Sequence, residues 1–145
     1  MMRPSRIQQQ VNCLSPNAFI VEDSPAIREG LAETLAELAG IGVAGFATSE
    51  QQARQWLADP AHRWDLAIVD LVLEGPGSGL GVLRALRTRA PDQKVVVLTA
   101  TASPAVREQC FVLGCDEVFD KSMESDALIA WCMAFADTRR RSQAA

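Results

Sequence analysis

Short apolar runs alternate with amphipathic stretches along this chain, and that rhythm restricts its fold more than any other feature. Residues 18–21 (AFIV), 43–47, 66–69 (LAIV), 95–98 (VVVL) and 117–119 are each bounded by polar residues. Runs this short and apolar suit strands buried on both faces. The stretches between them read as helices. Ser24-Pro25 offers an N-cap followed by proline at the first helical position. Ile27, Leu31, Leu35 and Leu38 then recur at helical spacing until Gly40. Ser49 with Gln52 forms the pattern of a capping box and opens a short helix carrying Trp56 and Leu57, closed by Asp59-Pro60. A third helix carries Leu80, Leu83 and Leu86 and stops near Ala90-Pro91. Ser103-Pro104 opens a fourth, with Val106, Cys110 and Leu113 on one side and Gly114 at its end. The last helix places Leu128, Trp131, Cys132 and Phe135 on one face and ends in Arg139-Arg140-Arg141, which suits a helix C-terminus.

A strand–helix unit repeated five times implies a parallel sheet covered by helices on both faces, with right-handed crossovers. The 145 residues, 48% of them hydrophobic, fit one domain. The expected boundaries are a polar arm over residues 1–16, the domain over 17–141 and a tail over 142–145. A net charge of −4 argues against nucleic acid as a partner. No apolar run is long enough to span a bilayer, and Arg3 and Arg6 are followed by QQQ rather than a signal-peptide core. A cytoplasmic location without membrane attachment is therefore expected. Cys13, Cys110, Cys115 and Cys132 form no CxxC pair, and His62 is the single histidine, so a zinc site is disfavoured. The cysteines are expected to be packing residues and His62 a surface residue.

The polar residues at the strand ends carry the functional signal. Glu22-Asp23 follow the first strand, Asp70 the third, Thr99 the fourth and Lys121 the fifth. In an open parallel α/β sheet these ends lie along one edge, where ligands bind. Three carboxylates there repel one another and need positive charge nearby. A hard divalent cation such as Mg²⁺ prefers such oxygen ligands, and Lys121 adds a further positive charge. A carboxylate can also act as a nucleophile toward phosphorus, with cations neutralising the moving group. The glycine-rich loop over residues 74–79 lacks the GK[ST] ending of a nucleotide-binding P-loop.

The segments AFIVEDSPAIREGL, DLAIVDLVL, KVVVLTATA and EVFDKS, in that order, resemble the receiver domains of two-component response regulators. The resemblance runs from about Asn17 to Asp137. It implies a flavodoxin-like (βα)5 three-layer sandwich with strand order 2-1-3-4-5. It further implies that Asp70 is the phosphoacceptor. Glu22, Asp23, Asp70 and the backbone carbonyl of Val72 would hold Mg²⁺. Thr99, Ala100 and Lys121 would bind the phosphoryl group. The donor would be a sensor histidine kinase or histidine phosphotransfer protein. The chain would act alone on an unknown downstream protein, as a monomer or weak homodimer. Three positions depart from the usual pattern: Ser122 stands where proline often follows the lysine, Val118 where an aromatic switch residue is common, and the loop after Asp70 is glycine-rich and expected to be mobile. These departures leave room for a receiver that binds a partner without being phosphorylated. A phosphohydrolase with an aspartate nucleophile is disfavoured, because the second Asp of its DxD pattern is Val72 here.

Overall fold

A computed structural model describes residues 15–144. Its elements are β1 (Asn17–Val21), α1 (Pro25–Thr34, continued by a π-helical turn, Leu35–Ala39), β2 (Gly42–Ala47), α2 (Glu50–Ala58), β3 (Leu66–Val69), α3 (Gly79–Leu86), β4 (Lys94–Thr99), α4 (Pro104–Val112), β5 (Glu117–Asp120) and α5 (Ser125–Ala144). The strands form one parallel sheet in the order β2-β1-β3-β4-β5, the order expected.

Side chains alternate across the pleat. Phe19, Val21, Ala67, Val69, Val95, Val97 and Val118 enter one core with Ala53 of α2, Leu83 of α3 and Cys110 of α4. Ala18, Ile20, Leu66, Ile68, Val96, Leu98 and Phe119 enter the other with Leu35 at the end of α1 and Leu128 and Cys132 of α5. Helices α2, α3 and α4 therefore cover one face, and α1 and α5 the other. Val118 and Phe119 point to opposite faces, as the period of a strand requires.

Ser24, Ser49 and Ser103 each accept a backbone N–H from the first turn of their helices, as their positions predict. At α2 the box is only half formed. Gln52 N–H bonds to Ser49 Oγ, but the Gln52 side chain turns back to Thr48 rather than Ser49. The expected α1 stripe breaks at its end. The π-helical turn adds a residue to the repeat, so Leu35 and Ala39 are buried while Leu38 is 56% exposed. Gly40 closes the turn in the left-handed region at φ 65°. The Arg140 guanidinium reaches over from α5 to the carbonyls of Ala39 and Gly40. Arg139 pairs with Asp65 and Asp92. Arg141 pairs with Asp137 at 3.1 Å, so all three terminal arginines engage the protein's own groups, and α5 runs past them to Ala144.

Cys110, Cys115 and Cys132 are buried, and burial pushes the Cys115 and Cys132 thiols up to about 12. Cys13 lies outside the described residues, as does the arm apart from Ser15 and Pro16. Pro16 is buried, and its carbonyl accepts the Gly42 N–H at 3.1 Å. His62 is exposed and stacks on Trp56 at 4.4 Å, which in turn stacks on Phe19. No helix among the described residues is long and apolar enough to cross a membrane.

Candidate functional site

The sheet ladder continues past the strand ends and fixes the polar residues there. Glu22 N–H donates to the Ala47 carbonyl at 2.9 Å, Asp70 N–H to Val21 at 2.9 Å, and Lys121 N–H to Thr99 at 3.0 Å. These bonds bring residues from four strands to one edge. Burial then concentrates their charge: Glu22 and Asp70 are 3% and 5% exposed and Thr99 is fully buried.

Glu22, Asp23 and Asp70 each offer a carboxylate oxygen to a common centre, all within 4.8 Å of one another. Like charges this close require compensation. Lys121 supplies part of it: its Nζ lies 2.7 Å from Asp70 Oδ2 and 2.5 Å from Glu22 Oε1. The Ser24 N–H donates to the other Glu22 oxygen, and the Val72 N–H to Asp70 Oδ1 at 3.3 Å. Burial raises the pKa of Glu22, and neighbouring Asp23 and Asp70 add to the rise. The bonds from Lys121 and Ser24 oppose it without cancelling it. For Lys121 burial works downward, but the bonds and charges of Asp70 and Glu22 outweigh it and hold the ammonium pKa above its ordinary value.

The donor set is hard oxygen throughout, with a surplus of negative charge. It fits Mg²⁺, which binds through one or two carboxylates and keeps several waters. Each remaining expected residue has a definite place. The Thr99 hydroxyl lies 3.1 Å from that of Thr101. Ala100, the next residue in the chain, is exposed. The Val72 side chain is 61% exposed. All described peptide bonds are trans, including the one between Lys121 and Ser122.

The glycine-rich loop is more tethered than its composition suggests. Glu74 accepts from the Thr48 hydroxyl, Ser78 N–H donates to Glu50 at 3.0 Å, and Gly79 N–H donates to Leu71 at 2.9 Å. Gly75 and Gly77 adopt positive φ, which glycine takes without strain. Gly79 is needed for a different reason. A Cβ there would lie 2.0 Å from the Asp70 carbonyl oxygen. Only the absence of a side chain lets α3 start against the end of β3.

One residue that the sequence pattern did not single out is Arg107, early in α4. Its guanidinium bonds to the carbonyls of Ala102 and Val118 and to the carboxylate of Glu124. No local signal marks it, because its partners lie in three separate segments.

Comparison with known proteins agrees with this architecture. Transcriptional regulatory protein MalR of Bacillus subtilis (strain 168) is 28% identical over 127 residues, covering 88% of this chain and 52% of its own length. The acid tolerance regulatory protein ActR of Sinorhizobium medicae (strain WSM419) is 32% identical over 113 residues, 77% of this chain and 55% of its own. This chain spans about half the length of these relatives. The crystal structure of a LuxR-family two-component response regulator from Aurantimonas sp. SI85-9A1 shares the fold with a TM-score of 0.73 at 21% identity, covering 87% of this chain and 88% of that one. The family model described as the response regulator receiver domain matches residues 18–132, and the chain belongs to that family.

Proposed function

We propose that this receiver domain is a phosphorylation switch in which Asp70 accepts a phosphoryl group from a phosphohistidine donor. The observation that carries the reading is the convergence of Glu22, Asp23 and Asp70 on one centre, with Lys121 bridging Asp70 and Glu22. A sensor histidine kinase or histidine phosphotransfer protein would present the donor imidazole over the sheet edge beside Ala100.

An Asp70 carboxylate oxygen attacks phosphorus. The new P–O bond forms as the P–N bond breaks, and the electron pair returns to the imidazole. Lys121 is already 2.7 Å from Asp70, close enough to contact the arriving phosphoryl oxygens. The Thr99 hydroxyl, released from Thr101, donates to another. Glu22, Asp23, Asp70 and the Val72 carbonyl are the groups that would hold Mg²⁺. When bound, the ion offsets the charge of the carboxylates and of the transferring group.

The phosphorylated state would differ in the loops after β3 and β4, biasing a two-state equilibrium and changing how the α4–β5–α5 face meets a downstream protein. The names of MalR and ActR describe regulatory proteins about twice as long. Here the output would begin with a contact between the α4–β5–α5 face and a protein surface, in the cytoplasm, without nucleic acid at this domain.

The test is intact mass after incubation with Mg²⁺ and acetyl phosphate, on the wild type and Asp70→Asn. A Mg²⁺-dependent gain of one phosphoryl group that Asp70→Asn abolishes is the expected result. A folded wild type that gains nothing, from acetyl phosphate or from phosphohistidine donors, makes this a phosphorylation-independent interaction module.

A further inference from the structure

Arg107 joins the three segments that carry the ends of the site. Its Nε donates to the Ala102 carbonyl at 3.1 Å and one terminal nitrogen to the Val118 carbonyl at 3.0 Å. The other terminal nitrogen pairs with Glu124 Oε1. That same oxygen accepts the Asp120 N–H at 3.0 Å. Ala102 lies three residues beyond Thr99, Val118 three before Lys121, and Glu124 three beyond it. One planar group therefore spans the β4–α4 loop, β5 and the β5–α5 loop.

The guanidinium fork has fixed geometry, so it engages all three partners only while those segments keep their present spacing. The two site residues tethered to these segments are both occupied in this arrangement. Thr99 faces the Thr101 hydroxyl, and Lys121 faces Asp70 and Glu22. A phosphoryl group on Asp70 presents new acceptor oxygens to both. Drawing Thr99 toward it breaks the contact with Thr101, one residue from Ala102. Drawing Lys121 toward it moves the backbone beside Asp120 and Glu124. Both displacements strain the fork. No aromatic side chain at position 118 can carry the motion, since Val118 is apolar and buried. Its carbonyl, held by Arg107, is the polar handle on β5.

Given the phosphorylation reading above, on which this rests, we propose that Arg107 is a positioning residue that clamps the β4–α4 and β5–α5 loops in their unphosphorylated arrangement. Phosphorylation opens the clamp and frees α4, whose far end exposes Phe111 and Val112. Linkage makes the effect reciprocal: whatever phosphorylation must break resists phosphorylation.

The test uses the full chain with Mg²⁺ and acetyl phosphate, following phosphoryl uptake by intact mass and deuterium uptake over residues 100–124. Arg107→Met removes the fork. Arg107→Lys keeps the charge but not the geometry. Glu124→Gln keeps an acceptor for Asp120 while weakening the Arg107 pair, and it decides the matter if Arg107→Met fails to fold. Arg107→Met and Glu124→Gln are expected to take up phosphoryl at least about threefold faster than wild type, with Arg107→Lys between. Unphosphorylated Arg107→Met should already show the exchange over residues 100–124 that wild type reaches only when phosphorylated. A purely structural role would not accelerate uptake. Unchanged or slower uptake in both Arg107→Met and Glu124→Gln, with a wild type that phosphorylates normally, overturns the clamp alone. A wild type that takes up no phosphoryl overturns the switch and the clamp together.

Discussion

The same substitution, glycine to alanine, should have opposite effects at two positions of this chain. At Gly79 a Cβ would lie 2.0 Å from the Asp70 carbonyl oxygen, 2.6 Å from Leu71 Cα and 2.8 Å from Asp70 C. All three atoms are backbone, so no flexible side chain can step aside. Carbon contacts are comfortable from about 3.5 Å, so α3 and the end of β3 must separate by about 1.5 Å. Overpacking of this kind costs about 1–3 kcal/mol, while the reduced freedom of the unfolded chain returns about 0.4–1 kcal/mol. Because only backbone stands in the way, the cost falls at the upper end of its range, and the balance is a loss of about 2 kcal/mol. At Gly30, on the exposed side of α1, an added Cβ meets nothing within 4 Å. There the better helix propensity of alanine should stabilise by about 0.5–1 kcal/mol. Urea unfolding reads both as shifts in midpoint at constant slope. Gly79→Ala should also slow phosphoryl uptake by about tenfold or more, because it displaces the backbone that aims Asp70. A Gly79→Ala midpoint equal to or above wild type would show that the close approach of α3 to β3 imposes no constraint on this position.

Lys121→Met leaves Glu22 and Asp70 buried without their ammonium and should destabilise the metal-free protein by about 3 kcal/mol or more. Added Mg²⁺ should stabilise this variant more than it does wild type, and equal Mg²⁺ increments in thermal unfolding would argue that Lys121 and the metal do not share the same charges. Glu50 is held below its ordinary carboxylate value by the Ser78 N–H, then by Arg54. A depressed folded-state pKa gives stability that is present above the unfolded value of 4.5 and lost as pH falls through the folded one. Glu50→Gln should therefore flatten the acid limb of a stability–pH curve, and an unaltered limb would count against the Glu50–Ser78 tie. On α5, Leu128→Ala should cost about 2–5 kcal/mol, whereas Met133→Ala should stay within about 0.5 kcal/mol. Similar losses at the two positions would mean the packed face of α5 is misassigned.

The fold was legible because burial on both sides of a parallel sheet forces apolar runs that little else produces. Val95 to Leu98 shows this most plainly, with alternate residues feeding the two cores. The site was legible for a related reason. Charged residues at the ends of wholly apolar strands contribute nothing to packing there, so Asp70 and Glu22-Asp23 stood out. What stayed hidden depends on tertiary partners. The π-helical turn that exposes Leu38 is closed by Gly40 and capped by Arg140 from α5, a contact between residues 100 apart in sequence. Gly79 looked like one more flexible loop residue, though what it provides is a close approach of backbones. Arg107 carried no pattern, because three carbonyl and carboxylate partners from distant segments are visible only once β4, β5 and α4 are assembled.

The charge balance at the sheet edge suits one lysine and three acids to the switch proposed above rather than to a static ion pair. Glu22, Asp23 and Asp70 bring three negative charges and Lys121 one positive. The difference, two, is the charge of a divalent cation, so binding one leaves the edge near neutrality. Converting the Asp70 carboxylate to an acyl phosphate adds roughly one further negative charge at neutral pH. That increment sits where Glu22 is already buried with its pKa raised, so solvent cannot easily absorb it. Lys121, already on Asp70 and Glu22, must divide its donors among more acceptors, and the Thr99 hydroxyl, buried at the same sheet edge and paired so far only with Thr101, is an uncharged donor for the rest. Both belong to segments that Arg107 holds. Under the proposed clamp, electrostatic demand at the acceptor would pass as strain to α4 and β5.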